Sequence, residues 1–259
     1  MAALLDGKTA VVTGAASGNG RAIARRFATA GADVVIADLQ AEDRMGGDPT
    51  HEVIEGETDA RAAFVECDVT DRDDLGAAVS RAEEFGGLDA MVNNAGIVGP
   101  QKPLTEVGYE GYRQLMDANL DGVYFGTQIA AAAMIDRGEG GSIINMSSVA
   151  GLEGTAGITP YSAAKGGVRL FTYAAAADLG PEGIRVNAIH PGAIETAMTT
   201  EGSPVFGTEQ EEQMSAVTPL RRLGQPEDVA NVVLFLASEL SDFVTAESIA
   251  IDGGLVNTA

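Results

Sequence analysis

Short runs of β-branched and apolar residues alternate with longer alanine-rich stretches along the whole chain, and this alternation constrains the fold more than any other feature. Residues 9–12, 34–37, 63–67, 88–93, 142–146, 185–189 and 248–251 read as strands. They are continuous apolar runs rather than period-two alternations, the pattern of strands buried on both faces. Between them, residues 21–30, 72–85, 111–137, 161–179 and 227–237 read as helices, and Pro226 stands at a first helical position with acids behind it. Strand, helix and strand repeated in this way predict an α/β fold: a doubly wound parallel sheet of about seven strands with helices on both faces. No linker, repeat or low-complexity segment interrupts residues 1–259, a length that a single α/β domain reaches.

Two segments break the rhythm. Residues 40–60 hold Gly46, Gly47, Pro49, His51 and many acids where a longer helix would be expected. Residues 196–220 hold Gly202, Pro204, Gly207 and Pro219 and read as a mobile flap, within which Glu209, Glu211 and Glu212 mark a solvated helix face. In doubly wound sheets ligands bind beyond the carboxyl ends of the strands, where such long loops collect.

Charge removes several function classes. Against 38 acidic residues stand 16 basic ones, a formal net charge of -22. Phosphate polymers and anionic membrane surfaces would be repelled, so neither nucleic acid nor membrane is an expected partner. The only lysines are Lys8, Lys102 and Lys165. So acidic and lysine-poor a surface resembles proteins of salt-accumulating cells, where high salt screens carboxylate repulsion over ~3 Å at 1 M. The N-terminal apolar stretch is short and lacks a basic leader, and the alanine-rich residues 129–135 fall short of a membrane span, so a cytoplasmic protein is expected. Cys67 is the sole cysteine and makes no disulfide framework. His51 and His190 form no cluster with metal spacing, so no metal is expected, and His190 reads as a packed or hydrogen-bonded residue.

Three groups of residues carry chemistry. After the first strand come Thr13, Gly14, Ser17, Gly18, Asn19 and Gly20, with the spacing G-x-x-x-G-x-G. Glycines there let backbone N–H groups approach a pyrophosphate at a helix N-terminus. Asn19 either reaches a phosphate or caps the helix, and the cap is the better expectation. Asp38 ends the second strand eighteen residues after Gly20, where a carboxylate accepts both hydroxyls of an adenosine ribose. Leu39 follows it, and no Lys or Arg stands at 17, 39 or 40 to meet a 2′-phosphate, which favours NAD over NADP. Finally, Tyr161 and Lys165 lie one helical turn apart, with Ser148 thirteen residues upstream of the tyrosine at a strand end. An ammonium beside a phenol favours the phenolate and so brings a poor proton shuttle towards a useful range.

With these motifs in this order, the chain from about Gly7 to Gly254 resembles the short-chain dehydrogenases/reductases. Asp68–Val69, the run Asn93, Asn94, Ala95 and Gly96, then Asn119, and the pair Pro191–Gly192 complete the likeness. The resemblance implies a Rossmann-type fold, with a cofactor-binding part over about 1–146 and a catalytic and substrate part over about 147–259. It implies that Asp68 hydrogen-bonds adenine with Val69 packed beside it. Asn94, Ala95 and Gly96 would run under the adenosine ribose, and Pro191, Gly192, Ile194 and Thr196 would flank nicotinamide. Asn119 matches the asparagine whose backbone holds a water linking Lys165 to solvent; Ser147 is a small neighbour of the cofactor.

The activity so implied is hydride transfer between NAD(H) and a small secondary alcohol or ketone. Tyr161 serves as acid/base, Ser148 stabilises the alkoxide, and Lys165 tunes the tyrosine and holds a ribose. A 3-oxoacyl-carrier-protein reductase and sugar, steroid or diol dehydrogenases share the motifs, and a non-catalytic dinucleotide-binding regulator is the reading from another class. The substrate would meet residues 97–99, 149–155, Gly192, Ala193 and the flap, with Glu153 close by. The resemblance further implies a homotetramer packed through helices 111–137 and 161–179.

Overall fold

Each apolar run forms a strand, and in β1 to β6 alternate residues enter two separate cores. The architecture is that of a computed structural model, which describes residues 3–202 and 205–258 and the side chains of all of these but 201 and 202. The strands are β1 (Thr9–Thr13), β2 (Asp33–Asp38), β3 (Ala62–Glu66), β4 (Ala90–Asn93), β5 (Gly141–Met146), β6 (Ile184–Pro191) and β7 (Ser248–Ile251). They make one seven-stranded sheet in the order β3-β2-β1-β4-β5-β6-β7, and every pairing is parallel.

The helices are α1 (Gly18–Thr29), α2 (Thr50–Glu57), α3 (Arg72–Glu83), α4 (Tyr109–Met116), α5 (Gly122–Arg137), α6 (Thr159–Leu179), α7 (Glu209–Val217) and α8 (Pro226–Ala237). In β1, Ala10 and Val12 pack with Ile23 and Phe27 of α1 and Val229 and Val233 of α8. Val11, between them, packs with Leu75 and Val79 of α3 and Met134 of α5 on the other face. Burial on both faces is why the strands show no polar alternation. Pro226 opens α8, and the Asp228 carboxylate accepts the Gln225 N–H at 2.8 Å to cap it.

Chain order runs outward from β1 through β2 to β3, then returns to β4 beside β1 and runs outward the other way. Loops leaving β1 and β4 therefore diverge and open a crevice at the carboxyl edge.

Two expectations change, and the solvated helix face expected around Glu209 and Glu212 is present. The 40–60 segment contains α2, whose Ile54 is buried against α1 and β2. The helix expected over 111–137 is α4 and α5 joined by a π turn at Asp117–Asp121, where the Gly122 N–H reaches back five residues to the Asp117 carbonyl. The 196–220 segment holds a π turn at Met198–Gly202 and then α7, whose Glu209 and Glu212 are exposed; Pro204 lies outside the described residues. Among the described residues, no helix is long and apolar enough to cross a membrane.

Candidate active site

The turn after β1 exists because its glycines leave room for two other chain segments. Gly14 has φ +65°, and a Cβ there would stand 2.9 Å from the Ala95 Cα. A Cβ on Gly20 would stand 2.1 Å from the Gly14 carbonyl oxygen, so α1 can start only if this position is bare. Asn94 locks the turn from below. Its Nδ2 donates to the Thr13 and Gly14 carbonyls at 2.8 and 3.1 Å, and the Asn94 and Ala95 N–H groups donate to Thr13 Oγ1 at 3.0 and 3.1 Å. Ser17 is the N-cap residue without a side-chain cap bond. The cap expected of Asn19 is not made either: it sits inside the first turn, and its buried Oδ1 has no hydrogen-bond partner.

Asp38 ends β2 with both carboxylate oxygens engaged by backbone. Oδ2 accepts the Ala16 N–H at 2.9 Å and Oδ1 the Leu39 N–H at 2.8 Å. Burial raises its pKa, and those two N–H groups and the Arg44 guanidinium pull it back. Arg44 was not evident in the sequence, because positions 17, 39 and 40 are empty of positive charge; the irregular segment after β2 folds back and brings it to the cavity wall. Asp68 Oδ1 accepts from the Thr70 N–H and hydroxyl at 2.9 and 2.8 Å, and Val69 packs so closely on Gly122 that a Cβ there would lie 3.0 Å from Val69 Cγ2. Cys67 lines the same wall; burial first, then the charges of Asp74, Asp68, Asp38 and Asp71, push its thiol up to about 12, leaving it protonated and unreactive.

The other end of the crevice gathers Ser148, Tyr161 and Lys165. Ser148 follows β5, where its Oγ accepts the Ala150 N–H at 3.1 Å and faces the Tyr161 hydroxyl closely enough to favour its phenolate. Tyr161 and Lys165 share one face of α6, with Lys165 Nζ 5.8 Å from the Tyr161 ring centroid. Lys165 is buried, and its Nζ donates to the Met146 carbonyl at 2.8 Å. The expected lowering of the tyrosine by the lysine is not what the protein's own groups produce. Burial raises Tyr161, with Ser148 alone opposing, and burial lowers Lys165 to about 8. Desolvation wins because both polar ends lie deep in the crevice and the ammonium is turned towards the β5 backbone. Ser147 donates its hydroxyl to the Lys165 carbonyl at 2.8 Å, tying β5 to α6. Asn119 sits in the π turn, its side chain engaged with the Ile97 backbone.

Of the catalytic and cofactor-binding residues expected from the sequence, all but Gly20 and Asn119 line one cavity of about 290 Å³. Among the expected substrate contacts, Ile97, Gly192 and residues 196–199 of the flap line it, whereas residues 98–99, 149–155 and Ala193 do not, and Glu153 is exposed. Those stretches follow the chain past the site, and sequence distance alone does not say which of their residues turn inwards. Gly192 is wedged on Asp252, where a Cβ would lie 3.0 Å from the Asp252 Cβ, and the Ile194 carbonyl accepts the Thr199 hydroxyl at 2.5 Å. Met146 and Ala118 are further lining residues that motif spacing did not reveal. The bare glycine turn, the orphaned Asn19 Oδ1 and the carboxylate at the end of β2 fit a dinucleotide laid across the switch between β1 and β4. Among the described residues, no group of three or more His, Cys, Asp or Glu could hold a metal ion.

The sheet order and its crevice place the protein in the Rossmann-like α/β class. Its sequence matches, over residues 14–256, the family described as Enoyl-(Acyl carrier protein) reductase. It is 44% identical to an uncharacterized oxidoreductase of Mycobacterium bovis, over 98% of this chain and 99% of that protein. It is 40% identical to L-2,3-butanediol dehydrogenase of Corynebacterium glutamicum, over 96% of this chain and 98% of that protein. The structure of a short-chain type dehydrogenase/reductase from Mycobacterium marinum superposes with a TM-score of 0.88 at 33% identity, covering 98% of this chain and 97% of that one. The chain belongs to the short-chain dehydrogenase/reductase family and is an oxidoreductase of that family, whose dehydrogenases use NAD(P).

Proposed function

We propose that the protein moves hydride between NAD(H) and an uncharged secondary alcohol or its ketone, with Ser148, Tyr161, Lys165 and Asn119 as its catalytic set. The observation that carries this reading is the convergence of the Ser148 hydroxyl, the Tyr161 phenol and the Lys165 ammonium in one cavity with the Asp38 carboxylate. The dinucleotide supplies the hydride acceptor or donor. Residues 14–20, Asp38, Asp68 and Val69, Asn94 to Gly96 and the segment 191–196 are the groups that would hold it.

The protein's own residues manage the proton. In reduction, Tyr161, kept protonated by burial, gives its proton to the carbonyl oxygen while the Ser148 hydroxyl donates a hydrogen bond to that oxygen. Lys165 is the cation within reach to stabilise the phenolate left behind. Oxidation runs the same steps backwards. Both tyrosine and lysine stand on one long helix and the serine on a strand end, so their geometry is held by rigid elements.

An uncharged substrate follows from the lining: among the described lining residues the cations are Arg44, at the Asp38 end, and Lys165, which is committed to the chemistry. The name of the butanediol dehydrogenase points to vicinal diols and hydroxyketones as the first compounds to try. A 3-oxoacyl-carrier-protein substrate is disfavoured by the net charge of -22, which would repel an acidic carrier. Asp38 supports NAD, because its charge repels a 2′-phosphate. A second reading, use of NADP(H), is favoured by Arg44, which lies beside Asp38 on the cavity wall. The reading extends to a single-domain cytoplasmic homotetramer, in which partner copies would cover the exposed Tyr124 of α5 and Leu170 of α6.

The test is nicotinamide absorbance with NAD+ and NADP+ against butanediol, cyclic alcohols, aldoses and, in reverse, a 3-oxoacyl thioester. Turnover with NAD+ is expected, and Tyr161→Phe should lower it by about 10²–10⁴-fold while NADH still binds. A Tyr161→Phe variant as fast as the parent would remove Tyr161 from the mechanism. Tight NADH binding with no turnover of any substrate would favour the regulator reading.

A further inference from the structure

The chemistry above uses the Ser148 hydroxyl but leaves its carbonyl unexplained. The β5–β6 ladder runs through Met146 opposite Ile189, and the Ser147 N–H donates to the Ile189 carbonyl at 2.8 Å. There it stops, because Pro191 has no N–H to continue it. Next to that stop stands His190, fully buried, whose Nδ1 lies 2.9 Å from the Ser148 carbonyl oxygen. A carbonyl only accepts, so Nδ1 carries the proton.

The other ring nitrogen, Nε2, lies 2.8 Å from the Ser248 hydroxyl of β7. Burial, together with the charges of Arg169 and Lys165, keeps the imidazole neutral, so Nε2 accepts from Ser248. Ser248 lies beside Tyr173, whose hydroxyl accepts the Arg169 Nε–H at 2.9 Å. Tyr161, Lys165, Arg169 and Tyr173 are spaced four apart on α6 and form one stripe. Ser148 is thus braced against α6 at two points: directly through Tyr161, and through His190 and Ser248 at Tyr173.

We propose that His190 is a positioning residue for the reaction: its ring takes over where the β5–β6 ladder ends and fixes the Ser148 backbone, so that the hydroxyl is held against Tyr161. This rests on the reading that Ser148 acts on the substrate oxygen. The Ser148 carbonyl also accepts the Gly151 N–H at 2.9 Å and its Oγ the Ala150 N–H at 3.1 Å, but both donors belong to the turn that follows. The His190 ring is therefore the contact that ties this carbonyl to β6 and β7. A displacement of about 1 Å at a reacting group costs on the order of 10²-fold in rate.

The test compares two variants of the whole protein in alcohol oxidation. His190→Leu removes both ring contacts. His190→Asn keeps an N–H that reaches the Ser148 carbonyl. The Leu variant should lose about tenfold or more in kcat with KM and NADH affinity within about twofold of the parent, and the Asn variant should recover most of the loss. A Leu variant with the parent's kcat, or Leu and Asn variants equally impaired, would overturn the proposal. If His190→Leu does not fold, Ser248→Ala decides, since it frees only the far side of the ring: a fall in kcat at unchanged NADH affinity supports the proposal, and an unchanged kcat overturns it.

Ser148→Ala separates the two levels. If it is active, the reading of Ser148 fails and the proposal with it. If it is inactive while His190→Leu is not, the proposal alone fails. A readout independent of turnover is the ¹⁵N spectrum of the two histidines, His51 and His190. The His190 ring should be neutral with the proton on Nδ1, and a proton on Nε2 in the folded protein would overturn the arrangement.

Discussion

Asn119 holds the Ile97 backbone with both ends of its amide: Oδ1 accepts the Ile97 N–H at 2.8 Å, and Nδ2 donates to the Ile97 carbonyl at 2.7 Å. Ile97 follows the Asn94–Gly96 segment that braces the turn after β1, and a Cβ on Gly96 would lie 2.9 Å from Asn119 Oδ1. The π turn and the cavity floor are therefore one unit. Asn119→Ala removes two hydrogen bonds worth about 1 kcal/mol each and leaves two backbone groups without partners, so a loss of about 2–3 kcal/mol is expected. At roughly 2–4 °C per kcal/mol the melting midpoint should fall by several degrees. A thermal melt at the parent's midpoint would show that this clamp carries no weight.

The opposed shifts of Tyr161 and Lys165 make stability depend on pH in a definite sense. Lys165 is lowered to about 8 in the fold from 10.5, so between those values the unfolded chain binds more protons and stability rises with pH. The penalty for burying the ammonium is fully present below about 8. Tyr161 is raised above its ordinary 10.0, so its contribution is present below that value and is lost as pH climbs through the folded value. From pH 8 to 10 the parent should therefore gain on Lys165→Met, by at most about 1.4 kcal/mol per pH unit. Denaturant midpoints of both proteins across that range check it, and a constant difference would contradict it. In the same range, alcohol oxidation should quicken as the Tyr161 phenolate becomes accessible.

Acidic surface should make the fold depend on salt. With 38 acidic against 16 basic residues, mutual repulsion is a cost that molar KCl screens over ~3 Å. Stability should rise steeply from low to molar KCl. A melting temperature that is flat across that range would reduce the acidity to an ordinary composition bias.

The sheet was legible because burial on both faces writes itself into continuous apolar runs such as 9–12 and 34–37, and the spacing of Tyr161 and Lys165 is local enough to survive in the sequence. What escaped was set by tertiary contact. The apolar pattern over 111–137 is continuous, so nothing marked the extra residue of the π turn. Arg44 reaches the cavity through a segment without periodicity, and the sense of the Tyr161 and Lys165 shifts depends on how deeply α6 is packed. The Asn19 cap failed because α1 begins one residue earlier, at Gly18.

The bond from the Ala16 N–H to Asp38 Oδ2 makes one carboxylate both a candidate recognition group and a strut between β2 and the neighbouring turn. Ala16 is buried, so a small aliphatic side chain at position 38 would strand its amide and weaken the scaffold. On the proposed NAD(H) reading, retuning this protein for a phosphorylated coenzyme is an exercise in preserving an acceptor: Asp38→Asn drops the charge yet keeps an oxygen for Ala16, and leaves Arg44 to supply the attraction.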